Sequence, residues 1–320
     1  MPIIAESTYR PPFWLPGGHL QTIVPSLFRR LKPVTTRHER LELEDGDFLD
    51  LAWSGKNSKR LAIFSHGLEG SCNAAYIQGM ARTLVENGWD ALAWNFRGCG
   101  IEPNRLLSFY HSGATEDLDA VIRHALATHP AESIDLIGFS LGGNLTLKYL
   151  GEPRERSPKL HRAVAFSVPC DLADSSAALS KPENRIYMAR FLRSLRAKLR
   201  VKDGIFPGEL DLSDLDHVAT FAQFDDRFTA PLHGFRNAVD YWTRSSCRQF
   251  LPDIRIPTLL VNALNDPFLG AKCFPREEAE LSEFFHLETP ENGGHVGFPK
   301  VGRTWMDGRV VEWLANEVLA

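Results

Sequence analysis

The stretch SIDLIGFSLGGNLTLKYL, residues 133–150, places a serine between two glycines, with an apolar run before it and a helix-like run after it. SIDLIGF (133–139) has the length and β-rich composition of a buried strand. Beyond it, Leu141, Leu145 and Leu147–Lys148–Tyr149 recur at helical spacing. Gly138-Phe139-Ser140-Leu141-Gly142 therefore sits at a strand–turn–helix junction. A serine there can simply cap the helix. It can also stand at the apex of a tight, strained turn whose flanking positions must be small because strand and helix backbones meet. With a strand on one side and a helix on the other, the pattern reads as the second, and Ser140 as a candidate nucleophile.

A serine hydroxyl is a weak nucleophile at neutral pH. It needs a base to take its proton and a third group to orient the base. For serines in this kind of turn the partners follow in the order acid, then histidine. IPTLLVNALNDPF (256–268) supplies the acid: a buried-looking strand, then Asn265 and Asp266 in an Asn-Asp-Pro turn. Glu288 and Glu291 are weaker rivals near the histidine. FFHLETPENGGHVGF (284–298) supplies the base, His295, in a glycine-rich loop after a strand. The triad reading is Ser140, Asp266 and His295. An oxyanion site needs preset N–H donors. Leu141, at the start of the helix, is one candidate. Leu68 in FSHGLEGS (64–71), after an earlier strand, is the other. His66 reads as a brace for that loop rather than a base or ligand.

Outward from these motifs, strands and helices alternate. ERLELED and DFLDLAW form an antiparallel pair around Gly46. RLAIFSH (60–66), WDALAWNF (89–96) and HRAVAFSV (161–168) read as strands, and AAYIQGMARTLVENG (74–88) and EDLDAVIRHALATH (116–129) as helices. Such alternation implies a largely parallel central sheet flanked by helices. The rhythm breaks after about Asp171 and resumes with IPTLLVNA (256–263), SEFFHLE (282–288) and a last helix, RVVEWLANEVLA. The expectation is one α/β domain spanning 1–320. Its core is 37–170 and 250–320, a helical cap is inserted at 171–249, and residues 1–36 form an extended arm packed on the surface.

Composition narrows the function classes. The chain has 320 residues, 43% of them apolar, and a formal net charge of −4, so the basic excess of a nucleic-acid binder is missing. Five scattered cysteines form no CxxC pair, which disfavours a disulfide framework or zinc knuckle and fits a reducing, cytoplasmic setting. No signal-peptide pattern or long apolar span is read.

The ordered motifs HGLEGS, NFRGCG, GFSLGGNLTLKYL, NDPF and GGHVGF resemble the α/β-hydrolase fold. They are most similar to its YheT-like bacterial members and their eukaryotic ABHD1/2/3 and EMB8-like relatives. RPPFWLPGGHLQTIVPSL (10–27) is similar to the N-terminal motif of that subgroup. The resemblance spans nearly the whole chain. It implies an esterase or lipase-like carboxylic ester hydrolase with Ser140, Asp266 and His295 as its triad.

The expected reaction is hydrolysis of an ester with an apolar, short-to-medium acyl chain through an acyl-serine. The alternatives are acyl transfer by the same triad, or a non-catalytic hydrolase-fold protein that binds a ligand. The expected partner is a small-molecule ester, and no cofactor, metal or nucleic acid is implied. RGCGIEP (97–103) fails as a dinucleotide loop because Pro103 stands at the third glycine position and no helix follows. NRIYMARFLRSLRAKLR (184–200) reads as a cap helix with an apolar face of Ile186, Leu192, Leu195 and Leu199 and a solvated basic face of Arg185, Arg190, Arg193, Arg196, Lys198 and Arg200. The sharper reading of that basic face is a surface that docks on anionic lipid or acidic ligands. DDRFTAPLHGFRNAVDYW (225–242) is expected to pack the cap against the acyl pocket.

Overall fold

The computed structural model describes residues 2–29, 34–301 and 304–315. Its centre is a nine-stranded sheet. The strands are β1 (Ile3–Ile4), β2 (Arg37–Glu42), β3 (Phe48–Ser54), β4 (Arg60–Ser65), β5 (Asp90–Trp94), β6 (Ser133–Phe139), β7 (Leu160–Phe166), β8 (Thr258–Val261) and β9 (Phe285–Glu288). Their order is β1-β9-β8-β7-β6-β4-β5-β3-β2. Pairing is parallel except where β3 meets β2 and β5. This is the mostly parallel α/β sheet expected from the rhythm of the sequence.

The central strands are apolar on both faces, as a covered parallel sheet requires. Alternate residues serve opposite cores. Leu61 and Ile63 of β4 join one cluster with α3 (Thr115–Thr128) and α4 (Leu141–Gly151). Ala62 and Phe64 join another with α2 (Ala75–Glu86) and the helix Trp305–Ala315. α2 buries Ile77, Met80, Ala81 and Leu84, the i, i+3, i+4, i+7 stripe of an amphipathic helix. It ends where Gly88, at φ +92°, takes the left-handed turn that suits glycine. Residues 316–320 of the expected last helix lie outside the described residues.

Between β7 and β8 the described chain holds helices and loops and no strand. The helices there include α5 (Leu172–Leu179) and α6 (Arg185–Ile205), of which α6, with 21 residues, is the longest in this segment. α6 corrects two expectations. Ile186 is 69% exposed, and the buried stripe runs through Tyr187, Met188, Leu192, Leu195 and Leu199. Lys198 is not on the solvated face: its ammonium lies 2.8 Å from Glu69, and the two side chains are only 11% and 10% exposed. Choosing the apolar face by hydrophobicity put Ile186 one residue out of phase, because Tyr187 and Met188 are the residues that meet the core.

The N-terminal arm also differs from the expected extended segment. Gly17–Phe28 form a helix, α1, with Pro25 inside it. Pro16-Gly17-Gly18 and Pro25 are poor local helix signals, so contacts with the rest of the molecule decide this segment.

Candidate active site

β6 ends at Phe139 and α4 begins at Leu141, so Ser140 alone makes the turn. Its backbone is at φ +52°, ψ −119°, and its N–H donates to Phe166 O at 2.8 Å. The neighbouring glycines are steric requirements. A Cβ on Gly138 would lie 2.5 Å from Gly143 Cα, and one on Gly142 would lie 2.3 Å from Ser65 O. Strand and helix backbones touch here, as the G-x-S-x-G spacing demands.

The structure brings the three distant side chains of the expected triad together. His295 Nε2 lies 2.9 Å from Ser140 Oγ, and His295 Nδ1 lies 2.9 Å from Asp266 Oδ2 and 3.1 Å from Oδ1. A carboxylate accepts only, so Nδ1 carries the proton and Nε2 offers a lone pair to the serine hydroxyl. Asp266 follows β8. Its side chain is fully buried, and Oδ1 also accepts from Phe268 N–H at 2.9 Å. The Phe268 ring stacks on the imidazole, centroids 4.0 Å apart. The rival carboxylates are elsewhere: Glu288 lies in β9 and accepts from Arg309 Nε at 2.7 Å, and Glu291 is exposed.

Leu141 is the first residue of α4, where N–H groups have no acceptor within the helix. Leu68 lies on the loop after β4, which packs closely on the serine: a Cβ on Gly67 would sit 3.2 Å from Ser140 Cβ. Leu68, Leu141, Ser140 and His295 line one cavity. His66 braces this loop. Nδ1 donates to Gly67 O at 2.7 Å and Nε2 accepts from Phe96 N–H, while burial lowers its pKa to about 4. Both ring nitrogens are committed and the ring stays neutral.

Next to Leu68, Glu69 is held at φ +53°. It accepts from Tyr110 Oη at 2.7 Å and from Ser194 Oγ, and it pairs with Lys198. Burial acts to raise its pKa, but Lys198, Ser194 and Tyr110 outweigh burial and hold the carboxyl below its usual range. The loop carrying Leu68 is thus tied both to the core and to α6. Of the six described non-glycine residues with positive φ, all but Asn57 lie in loops at this site: Glu69, Ser140, Ser167, Val296 and Phe298. Such conformations cost about 1–3 kcal/mol each and persist where surrounding structure imposes them. Here Ser167 Oγ accepts from Val296 N–H at 2.8 Å, joining two of them.

The residues that hold the histidine loop were not legible in the sequence. Gln21 of α1 is fully buried. Its Oε1 accepts from Gly293 N–H at 2.8 Å and from Asn265 Nδ2 at 3.0 Å. Thr22 Oγ1 accepts from His295 N–H at 2.9 Å, and Asn265 Oδ1 from Gly294 N–H at 3.0 Å. α1 therefore fixes the backbone at Gly293 and at His295 itself. Only the run HLQT in the arm hinted at it. Gln21→Leu should lower kcat for ester substrates by about 10- to 100-fold with little change in KM. It leaves the buried Gly293 donor unpaired and lets the imidazole drift from near-attack geometry. Steady-state kinetics together with a thermal melt check this; a KM effect with unchanged kcat would count against a positioning role.

The cavity wall is mostly apolar and mostly supplied by the 172–242 segment, with Leu179, Phe191, Leu195, Phe221 and Phe224 among its residues. One polar side chain in it is Asp225, which accepts from Thr229 Oγ1 at 2.7 Å and Trp242 Nε1 at 2.8 Å. Burial pushes its pKa up to about 6.

Comparison with known proteins agrees with this architecture. A profile of the alpha/beta hydrolase fold matches residues 63–299. YheT of Escherichia coli (strain K12), provisionally named an esterase, is 38% identical over 93% of this chain and 90% of its own length. Phospholipase ABHD3 of Mus musculus is 29% identical over 93% of this chain and 74% of its length. The EMB8 protein of Picea glauca is 29% identical over 92% of this chain and 69% of its length. The Pyrococcus furiosus esterase Pf2001 superposes with a TM-score of 0.62 at 19% identity, covering 91% of this chain and 95% of its own, which speaks to the fold alone. The turn at Ser140, the sheet order and the length of these matches lead to one conclusion: the chain belongs to the α/β-hydrolase family, in the group that includes YheT, ABHD3 and EMB8.

Proposed function

We propose that the protein is a carboxylic ester hydrolase acting through an acyl-serine, with Ser140 as nucleophile, His295 as general acid–base and Asp266 as orienting carboxylate. The observation that carries this reading is the unbroken hydrogen-bond path from Ser140 Oγ through the imidazole to Asp266, 2.9 Å at each link. Ser140 Oγ attacks the ester carbonyl carbon as its proton passes to His295 Nε2. The carbonyl oxygen becomes an oxyanion, bonded by the N–H groups of Leu68 and Leu141. The tetrahedral intermediate collapses, the C–O bond to the alcohol breaks, and His295 returns the proton to the departing oxygen. Water then attacks the acyl-serine by the same route and releases the acid. Asp266 keeps the imidazole in the useful tautomer and stabilises its cation. The apolar wall from the 171–249 cap supports an apolar acyl chain of short to medium length.

Two measurements test this. A fluorophosphonate probe should label the folded protein at Ser140, and peptide mapping that finds no adduct there would sink the assignment. Across p-nitrophenyl esters of increasing chain length, kcat/KM should rise and then fall, and amides should be poor substrates. A profile indifferent to acyl length would remove the cavity from the account.

A further inference from the structure

A second opening leads to Ser140 and His295. It is a groove between α1 and α6, with Leu27 on one wall and Ile186 and Arg190 on the other. His19 of α1 stacks on Tyr187 of α6, ring centroids 5.8 Å apart, so the outward faces of the two helices lie side by side. The groove-lining Leu27 and Ile186 are 65% and 69% exposed, and Phe28, next to Leu27 at the end of α1, is 70% exposed. Scattered exposed apolar residues need no explanation, but a group of them around a groove does.

The charges around this rim are unbalanced. Arg185, Arg190 and Arg193 share the exposed side of α6 with Ile186. Among the described residues no carboxylate pairs with any of the three, although their neighbours are engaged: Arg196 donates to Val218 O, Lys198 pairs with Glu69, and Arg200 pairs with Asp216. A local cluster of three uncompensated cations thus sits on a chain of net charge −4. Apolar side chains alone would suit a protein partner as well as a lipid. Guanidiniums flanking them match a surface that offers acyl chains beneath a layer of phosphates.

We propose that this face docks on an anionic phospholipid surface, with the groove between α1 and α6 opening toward the bilayer. Ester molecules in the bilayer then face the groove that leads to Ser140. That last step rests on the ester-hydrolase reading; the docking does not. No helix among the described residues is long and apolar enough to cross a membrane, so these helices can only lie on it.

The test is co-flotation of the full chain with vesicles of phosphatidylcholine alone and of phosphatidylcholine mixed with phosphatidylglycerol. Binding is expected to the mixed vesicles at low salt and to be released by high salt. Combining Arg185→Glu, Arg190→Glu and Arg193→Glu should lower partitioning on the order of 100-fold. Leu27→Asp with Phe28→Asp should also abolish flotation. Both variants change exposed residues, and their circular dichroism and thermal midpoint should match the wild type, which shows that they are folded. Ser140→Ala protein should float like the wild type, so failure of the hydrolase reading and failure of docking are separately visible. Docking is overturned if the wild type stays unbound to mixed vesicles at low salt, or if charge reversal leaves binding unchanged. It is equally overturned if Leu27→Asp with Phe28→Asp converts a wild-type dimer to monomer without affecting flotation, since a second copy then covers the face.

Discussion

Ser140→Ala should reduce ester turnover by about 10⁴-fold or more while leaving the fold unchanged. The hydroxyl oxygen is the atom that would form the acyl bond, and among the described residues no other hydroxyl is hydrogen-bonded to His295 Nε2. Its imidazole partner is committed to Asp266, and Cys99, which lines the groove leading to the serine, is a poor substitute because burial pushes its thiol pKa up to about 12. Alanine keeps the Cβ, so the strained turn at φ +52° and its N–H bond to Phe166 O are undisturbed. Circular dichroism and the thermal midpoint should match the wild type. Residual turnover should come from the oxyanion donors acting on water alone. Turnover within tenfold of wild type would mean that another group performs the attack.

The size of this loss depends on parts of the molecule that differ in how visible they were beforehand. The elbow was legible because its signal is local: β-rich residues, two glycines that cannot carry a Cβ, and a helix start within ten positions. Asp266 was marked by its Asn-Asp-Pro turn after a buried strand, and His295 by the glycines around it. Parallel pairing of β4 through β9 followed from the alternation of strands with helices. What stayed hidden depends on contacts across the chain. Gln21 precedes Gly293 by 272 positions, and no spacing rule links them. Pro25 and the paired glycines 17 and 18 argued against a helix that tertiary contacts nonetheless stabilise. On α6, periodicity found a helix but not its phase, because a run with Ile186, Tyr187 and Met188 together offers more than one plausible apolar face. Lys198 reads as a solvated cation until the buried Glu69 beside it is known.

The Glu69–Lys198 pair also bears on why the segment between β7 and β8 matters to the chemistry. A buried charge pair adds little net stability compared with apolar packing, but removing one partner strands the other. Here the pair links α6 to the residue immediately after Leu68. Any displacement of α6 from the core must either break that pair or move the candidate oxyanion donor. The wall of the cavity and the donor are therefore mechanically joined, and substrate fit in the apolar cavity can bear on the oxyanion site.

Asp266→Asn should cost about 10⁴-fold in kcat, through tautomer rather than through structure. The two carboxylate oxygens differ in their partners: Oδ1 accepts from Phe268 N–H at 2.9 Å and lies 3.1 Å from His295 Nδ1, while Oδ2 is the nearer oxygen to Nδ1 at 2.9 Å. Asparagine is isosteric, and in this buried position its oxygen must take the place of Oδ1 to satisfy the Phe268 N–H. The amide NH₂ then replaces Oδ2 and donates to Nδ1. The imidazole proton is forced onto Nε2 and points at Ser140 Oγ, so the ring can no longer accept the serine proton. Substrate binding in the apolar cavity is untouched, and KM should change little. Combined with Ser140→Ala, the loss should be no larger than that of the serine change alone, because the carboxylate has no function once there is no proton to move. A double variant whose defect equals the product of the two single losses would show that Asp266 acts independently of Ser140, and the hydrogen-bond path would then describe a fold contact rather than a catalytic unit.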